Sequence, residues 1–171
     1  MSDRSGLSRG DRNRNARLAR LRQLLPPGNA IVGIDLADDK QAAVVTDHDS
    51  RVIARRRVSA RAWELGGLLD WAVGKAAAAE FASVTVACEP TGHRWRVLDQ
   101  LAAEQGLALV CVQPLLACRA REGEDLTRDK SDPRDAVIIA RLAAGLHWSE
   151  NKTLAGRAAA PGGAPAPTGC G

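Results

Sequence analysis

The hydrophobic period changes several times along this chain, and each change marks an element. Residues 30–37 (AIVGIDLA) are a short apolar run with one carboxylate, Asp35, near its end. Residues 41–46 and 51–58 are two more strand-like runs, set off by polar turns at Asp38-Asp39-Lys40 and Asp47-His48-Asp49-Ser50. Strands joined by short polar turns predict an antiparallel meander. Ser59 suits an N-cap, and residues 60–80 then take a helical period with Trp63, Leu68, Leu69, Ala72 and Ala76 on one face. Gly66, Gly67 and Gly74 weaken that helix. Residues 83–88 (SVTVAC) read as a strand buried on both faces, ending before Pro90, which has no N–H for a ladder. Residues 94–105 are an amphipathic helix with Trp95, Leu98, Leu101 and Ala102 inward and Gly106 as its stop. A fifth strand at 107–112 ends at Gln113-Pro114, and strand, helix, strand in succession predicts a parallel crossover. A last helix runs from Asp132 to about Ala144, with Ile138, Leu142 and Leu146 at helical spacing.

Three antiparallel strands, helix, strand, helix, strand, helix is the element order of a ribonuclease-H-like α/β domain, a mixed sheet of five strands flanked by helices. The domain is expected over residues 30–147. Residues 1–29 are expected to be a basic flexible leader, with a short helix over 16–25 as the alternative, carrying Leu18, Leu21 and Leu25 on one side. Residues 115–131 are mixed and charged. Residues 148–171, mostly Ala, Gly and Pro, lack the apolar surface to offset their ordering entropy and are expected to be disordered.

Composition narrows the class. At 171 residues, 45% hydrophobic and 26% charged, the chain has room for one domain with its own core. Aromatics are only 3%, so Ala, Val, Leu and Ile must fill that core. No apolar run is long enough to span a bilayer and no signal peptide is evident, so the cytosol is the expected compartment, with no membrane partner. The four cysteines form no Cys-x-x-Cys pair, which argues against a zinc site. Cys88 and Cys111 sit in strand-like runs and read as small core residues. Residues 1–29 hold seven arginines against two aspartates, a net of +5 in a chain whose formal charge is +4, so the basicity belongs to the N-terminal segment. Such an arm suits phosphates.

The acids carry the candidate chemistry. Asp35 lies on the first strand, and Glu89 ends the fourth strand, which the expected topology sets beside the first. Asp132 and Asp135 share one face of the first turn of the last helix. Four carboxylates from three elements meeting at one sheet edge would repel one another. One or two Mg²⁺ (or Mn²⁺) ions would relieve that repulsion with oxygen ligands and supply the chemistry of phosphodiester cleavage. Each acid also has a plain structural reading: Asp35 and Glu89 at strand ends, Asp132 as N-cap, and Asp135 facing the helix macrodipole. His93 reads as a loop hydrogen-bonder.

Three segments carry a resemblance: Gly33-Ile34-Asp35-Leu36-Ala37, Glu89-Pro90-Thr91-Gly92-His93 and Lys130-Ser131-Asp132-Pro133-Arg134-Asp135-Ala136. In this order they resemble the three motifs of the DEDD transposases of bacterial insertion sequences, the family related to the Piv DNA invertase and the RNA-guided bridge recombinases. The resemblance covers about residues 30–147. It implies a RuvC-like domain in which Asp35, Glu89, Asp132 and Asp135 are catalytic and bind Mg²⁺. It also implies DNA as partner, a guide non-coding RNA in some members, and a homo-oligomer as the active species. In the family a separate C-terminal domain carries a nucleophilic serine, and nothing after His147 resembles it, so the chain is expected to be truncated and incomplete for recombination. Arg94 stands where the family usually has an aromatic residue. Two other functions fit the same residues: a stand-alone RuvC-like junction nuclease, and a non-catalytic remnant that binds nucleic acid through its basic arm. An actin-like reading is set aside because no glycine-rich phosphate loop of the expected kind is present.

Overall fold

The computed structural model describes residues 6–124 and 132–149. Along them run α1 (Arg9–Leu24), β1 (Asn29–Leu36), β2 (Lys40–Thr46), β3 (Val52–Ser59), α2 (Ala62–Ala78), β4 (Ser83–Cys88), α3 (Arg94–Glu104), β5 (Ala108–Val112), α4 (Pro114–Glu124), α5 (Asp132–Ala144) and β6 (Trp148–Ser149). One sheet holds all the strands in the order β3-β2-β1-β4-β5-β6. β1, β2 and β3 are antiparallel, β4 lies parallel to β1 and β5 parallel to β4. This is the expected ribonuclease-H-like arrangement, with the two-residue β6 added antiparallel to β5.

Alternation along the strands builds a core on each face of the sheet. Ala30, Val32, Ile34 and Leu36 of β1 join Val84, Val86 and Cys88 of β4 and Leu109 and Cys111 of β5 on one face, under Leu65, Leu68, Leu69, Ala72 and Ala76 of α2 and Leu98 and Ala102 of α3. On the other face Ile31, Ala42, Val44, Ala87, Val110 and Val112 meet Ala136, Ile139, Ala140 and Ala143 of α5, with Ala117 of α4. The side chains at the centre of this second face are small, so α5 lies close to the sheet. A Cβ added at Gly33 would stand 2.1 Å from the Ala136 carbonyl oxygen and 2.9 Å from Ala140 Cβ.

Several expectations change here. Residues 9–25 are not a flexible leader. α1 starts with a capping box, in which Asp11 N–H donates to Ser8 Oγ and Ser8 N–H to the Asp11 carboxylate. Leu21 and Leu25 are fully buried in the second core. Thr85 Oγ1 donates to the Leu24 carbonyl at 3.0 Å, and Arg22 donates to His48 Nδ1 at 3.3 Å. The reason is geometric: beyond α5, the second face still has apolar area to cover, and the helix alternative for 16–25 supplies the leucines. Ser59 belongs to β3, paired with Lys40, so it cannot cap α2, whose N-cap is Arg61. α2 runs unbroken through its three glycines because its buried stripe holds it. Trp63 is 72% exposed and stacks under the Arg61 guanidinium rather than facing the core. The expected mixed segment after β5 begins with α4, which has Pro114 at its first position. Residues 148–149 form β6, while 125–131 and the rest of the expected disordered tail lie outside the described residues. No helix among the described residues is long and apolar enough to cross a membrane.

Candidate functional site

Gly33 sets the geometry of the acid edge. It shares a face of β1 with Ile31 and Asp35, and the Ala136 carbonyl seats against it. Asp35, two residues further along β1, is therefore on the face that carries the start of α5, and it is half-buried. β1 and β4 pair in parallel with Ile34 opposite Cys88, so Asp35 and Glu89 are the next residues at adjoining strand ends. Asp135 is in the first turn of α5, next to Ala136. Asp132 is the first residue of α5, and its side chain lies outside the described part of the structure.

Two of these acids are joined by a cation from a fourth element. Arg121 of α4 donates from Nη2 to Glu89 Oε2 at 2.7 Å and from Nε to Asp135 Oδ1 at 2.9 Å. Both are charge-assisted hydrogen bonds of the strong kind. Burial pulls the Arg121 pKa down, but the hydrogen bonds and charges of Glu89 and Asp135 outweigh it and hold the guanidinium above its ordinary value. Hydrogen bonding thus links Glu89 and Asp135 through Arg121, and the fold puts Asp35 on the same face one strand over. Among the described residues, no group of three or more His, Cys, Asp or Glu is close enough to hold a metal ion. The donor chemistry nonetheless fits a hard divalent cation: these are carboxylate oxygens, and two of them already share a positive group.

Arg121 escaped the sequence reading because α4 did. Among the described side chains of α4 only Ala117 is fully buried, and Leu115 is exposed, so the helix carries almost no apolar period. The one legible signal was Pro114 at its first position. Arg94 is the second residue whose part was missed. Its guanidinium donates to the carbonyls of Ala37 and Asp38, and so ties the segment after β1 to the segment after β4. His93 is exposed at the start of α3 and makes no side-chain capping bond.

A family model described as a transposase, of the DEDD type found in IS110 insertion sequences, matches residues 32–156. The chain belongs to the DEDD transposase family. The match starts within β1 and runs past His147, where the motif resemblance was expected to end. Among solved structures, T. thermophilus RuvC in complex with a Holliday junction substrate is similar at 18% identity and a TM-score of 0.47, over 69% of this chain and 93% of that one. The ethanolamine utilization protein EutJ from Carboxydothermus hydrogenoformans is similar at 23% identity and a TM-score of 0.39, over 61% of this chain and 47% of that one. The transposase domain thus spans about half of the EutJ chain. No curated protein matches it in sequence.

Proposed function

We propose that this transposase domain binds DNA across the edge where β1, β4 and α5 meet and breaks a phosphodiester bond there, with a divalent cation held by Asp35, Glu89, Asp132 and Asp135. The observation that carries this reading is the pairing of Glu89 and Asp135, from separate elements, on one positive group beside the end of β1. When bound, Mg²⁺ or Mn²⁺ would supply Lewis-acid stabilisation of charge on the phosphate oxygens and a more acidic water. The protein's own part is to hold the carboxylates in place. Gly33 lets α5 approach, and Arg94 fixes the two segments that follow the acid-bearing strands.

The same face offers phosphate contacts. Asp35 is opposite Ala42, and Ala42 is opposite Arg57, so Arg57 stands in the same cross-strand row about 10 Å away. Arg55 is two residues back on that face of β3, and both arginines are exposed at the sheet edge. Arg56 faces the other way and stacks on Trp71 at 5.9 Å. A DNA backbone lying over Arg55 and Arg57 would bring a phosphate towards Asp35. Transfer between two DNA ends requires more than one such edge, so the working species in this reading is an oligomer on DNA.

The test is calorimetric titration with MnCl₂ together with cleavage of linear and branched DNA. Wild type should bind Mn²⁺ and cut, and Asp35→Asn should do neither while keeping its circular-dichroism spectrum. Failure of the folded wild-type chain to bind the ion removes the metal reading. Cutting confined to four-way junctions would favour the junction-nuclease alternative.

A further inference from the structure

Arg121 is the feature of the acid edge that the three motif segments leave out. It comes from α4, outside all three motif segments, and its fork spans Glu89 after β4 and Asp135 in α5. Two carboxylates held this close need a counter-charge, and the Arg121 guanidinium, on a flexible arm, supplies one. A guanidinium is bulky, and it satisfies the two acids along two of its edges. A divalent ion bridging the same acids would bind oxygens at about 2.0–2.1 Å and draw them around a much smaller centre. The two cations therefore need the same space and the same lone pairs.

Resting on the metal reading above, we propose that Arg121 is a built-in counter-ion that competes with the divalent cation. It keeps Glu89 and Asp135 together while the metal is absent, and it must release them when the metal binds. The ion pair is placed for such an exchange. The Arg121 side chain is 32% exposed and that of Asp135 36%, so solvent reaches both partners, while Glu89 at 13% is the more enclosed. Released, the guanidinium swings towards water rather than into a core, because α4 buries little apart from Ala117. A dication brings twice the charge to the same carboxylates, which favours the exchange once it has shed part of its water. Arg121 is thus a positioning residue, acting through the acids.

The experiment compares the full-length wild type with Arg121→Met, which keeps the apolar stem and removes the charge, and with Arg121→Lys, which keeps the charge and loses the fork. Calorimetric titration with MnCl₂ should give Arg121→Met a Kd about tenfold lower than wild type, because the charge-assisted hydrogen bonds no longer have to be broken before the ion binds. Arg121→Lys should fall between the two. A readout on the wild type covers the case in which Arg121→Met folds poorly. In wild type, the side-chain Nε–H of Arg121, assigned by its loss in Arg121→Lys, should exchange slowly with water without metal and fast with saturating Mg²⁺. Equal or weaker Mn²⁺ binding in a folded Arg121→Met, or an Nε–H unchanged by Mg²⁺ in a wild type that binds the ion, overturns the competition and leaves the metal site standing. Absence of divalent binding in every form removes the metal site itself, and the competition with it.

Discussion

Gly33 shows how one missing side chain can set a site. Its motif neighbour Asp35 is legible as a candidate ligand, but the need for glycine beside it comes from the Ala136 carbonyl pressing on β1. Gly33→Ala puts a carbon where backbone already lies, so something must move. The expected cost is about 3 kcal/mol, at the upper end for overpacking. Urea denaturation should show it as a lower midpoint at unchanged slope. Because the shift displaces α5, Mn²⁺ affinity should fall too. The cysteines illustrate a residue reading that held: Cys88 and Cys111 are register partners on β4 and β5, free and buried. The hydrogen bond between them, and burial, push the Cys88 thiol well above its ordinary value. The same bond lowers the Cys111 thiol, so burial is what shields it, and native protein should react with maleimide at exposed Cys118 and not at Cys88 or Cys111 until denaturant opens the core. Mass spectrometry of the labelled peptides checks it.

Among the elements, α1 departs most from the sequence reading, because a run of arginines masks three leucines. Leu21 is fully buried, so Leu21→Ala should cost about 3 kcal/mol, as for an ordinary core leucine. A flexible leader would lose almost nothing, and equilibrium unfolding separates the two. The start of the helix should respond to pH. The Ser8 hydroxyl and backbone N–H donate to Asp11, and these hydrogen bonds hold its carboxyl below its ordinary value. A depressed carboxyl stabilises the fold above its unfolded pKa, and that contribution disappears as pH falls through the lower, folded value. Amide exchange at the first turn of α1 should therefore speed up under acid before the sheet opens, and Ser8→Ala should shrink the effect to the part that the backbone N–H supplies. α4 was hidden for a related reason. A helix that buries one alanine and spends its charge on an ion pair shows no apolar stripe to read.

For the molecule as a whole, the charge pattern bears on partners. The N-terminal arginines and those of β3 are two separate basic regions, and only β3 shares a cross-strand row with Asp35. If DNA lies over β3, Arg55→Gln with Arg57→Gln should weaken binding of unrelated sequences alike. The slope of log affinity against log salt should shrink by about 2, one counter-ion for each lost phosphate contact. Fluorescence anisotropy at several salt concentrations measures it. An unchanged slope would place the DNA elsewhere, with α1 the next surface to test.

Local pattern by itself determined β1 to β5, the helices α2, α3 and α5, and the order that makes the sheet ribonuclease-H-like. Period and turn chemistry act over a few residues and need no partner. It also singled out Asp35 and Glu89, because a carboxylate at the end of an apolar run stands out against its neighbours, and Asp132 with Asp135, three apart at a helix start. Tertiary structure alone decided what lies between them. That Arg121 bridges Glu89 and Asp135, that α1 covers the second core and that Trp63 turns to solvent all depend on contacts between segments distant in sequence. Such contacts leave no period behind, since an ion pair or a close helix crossing is satisfied by one residue on each side.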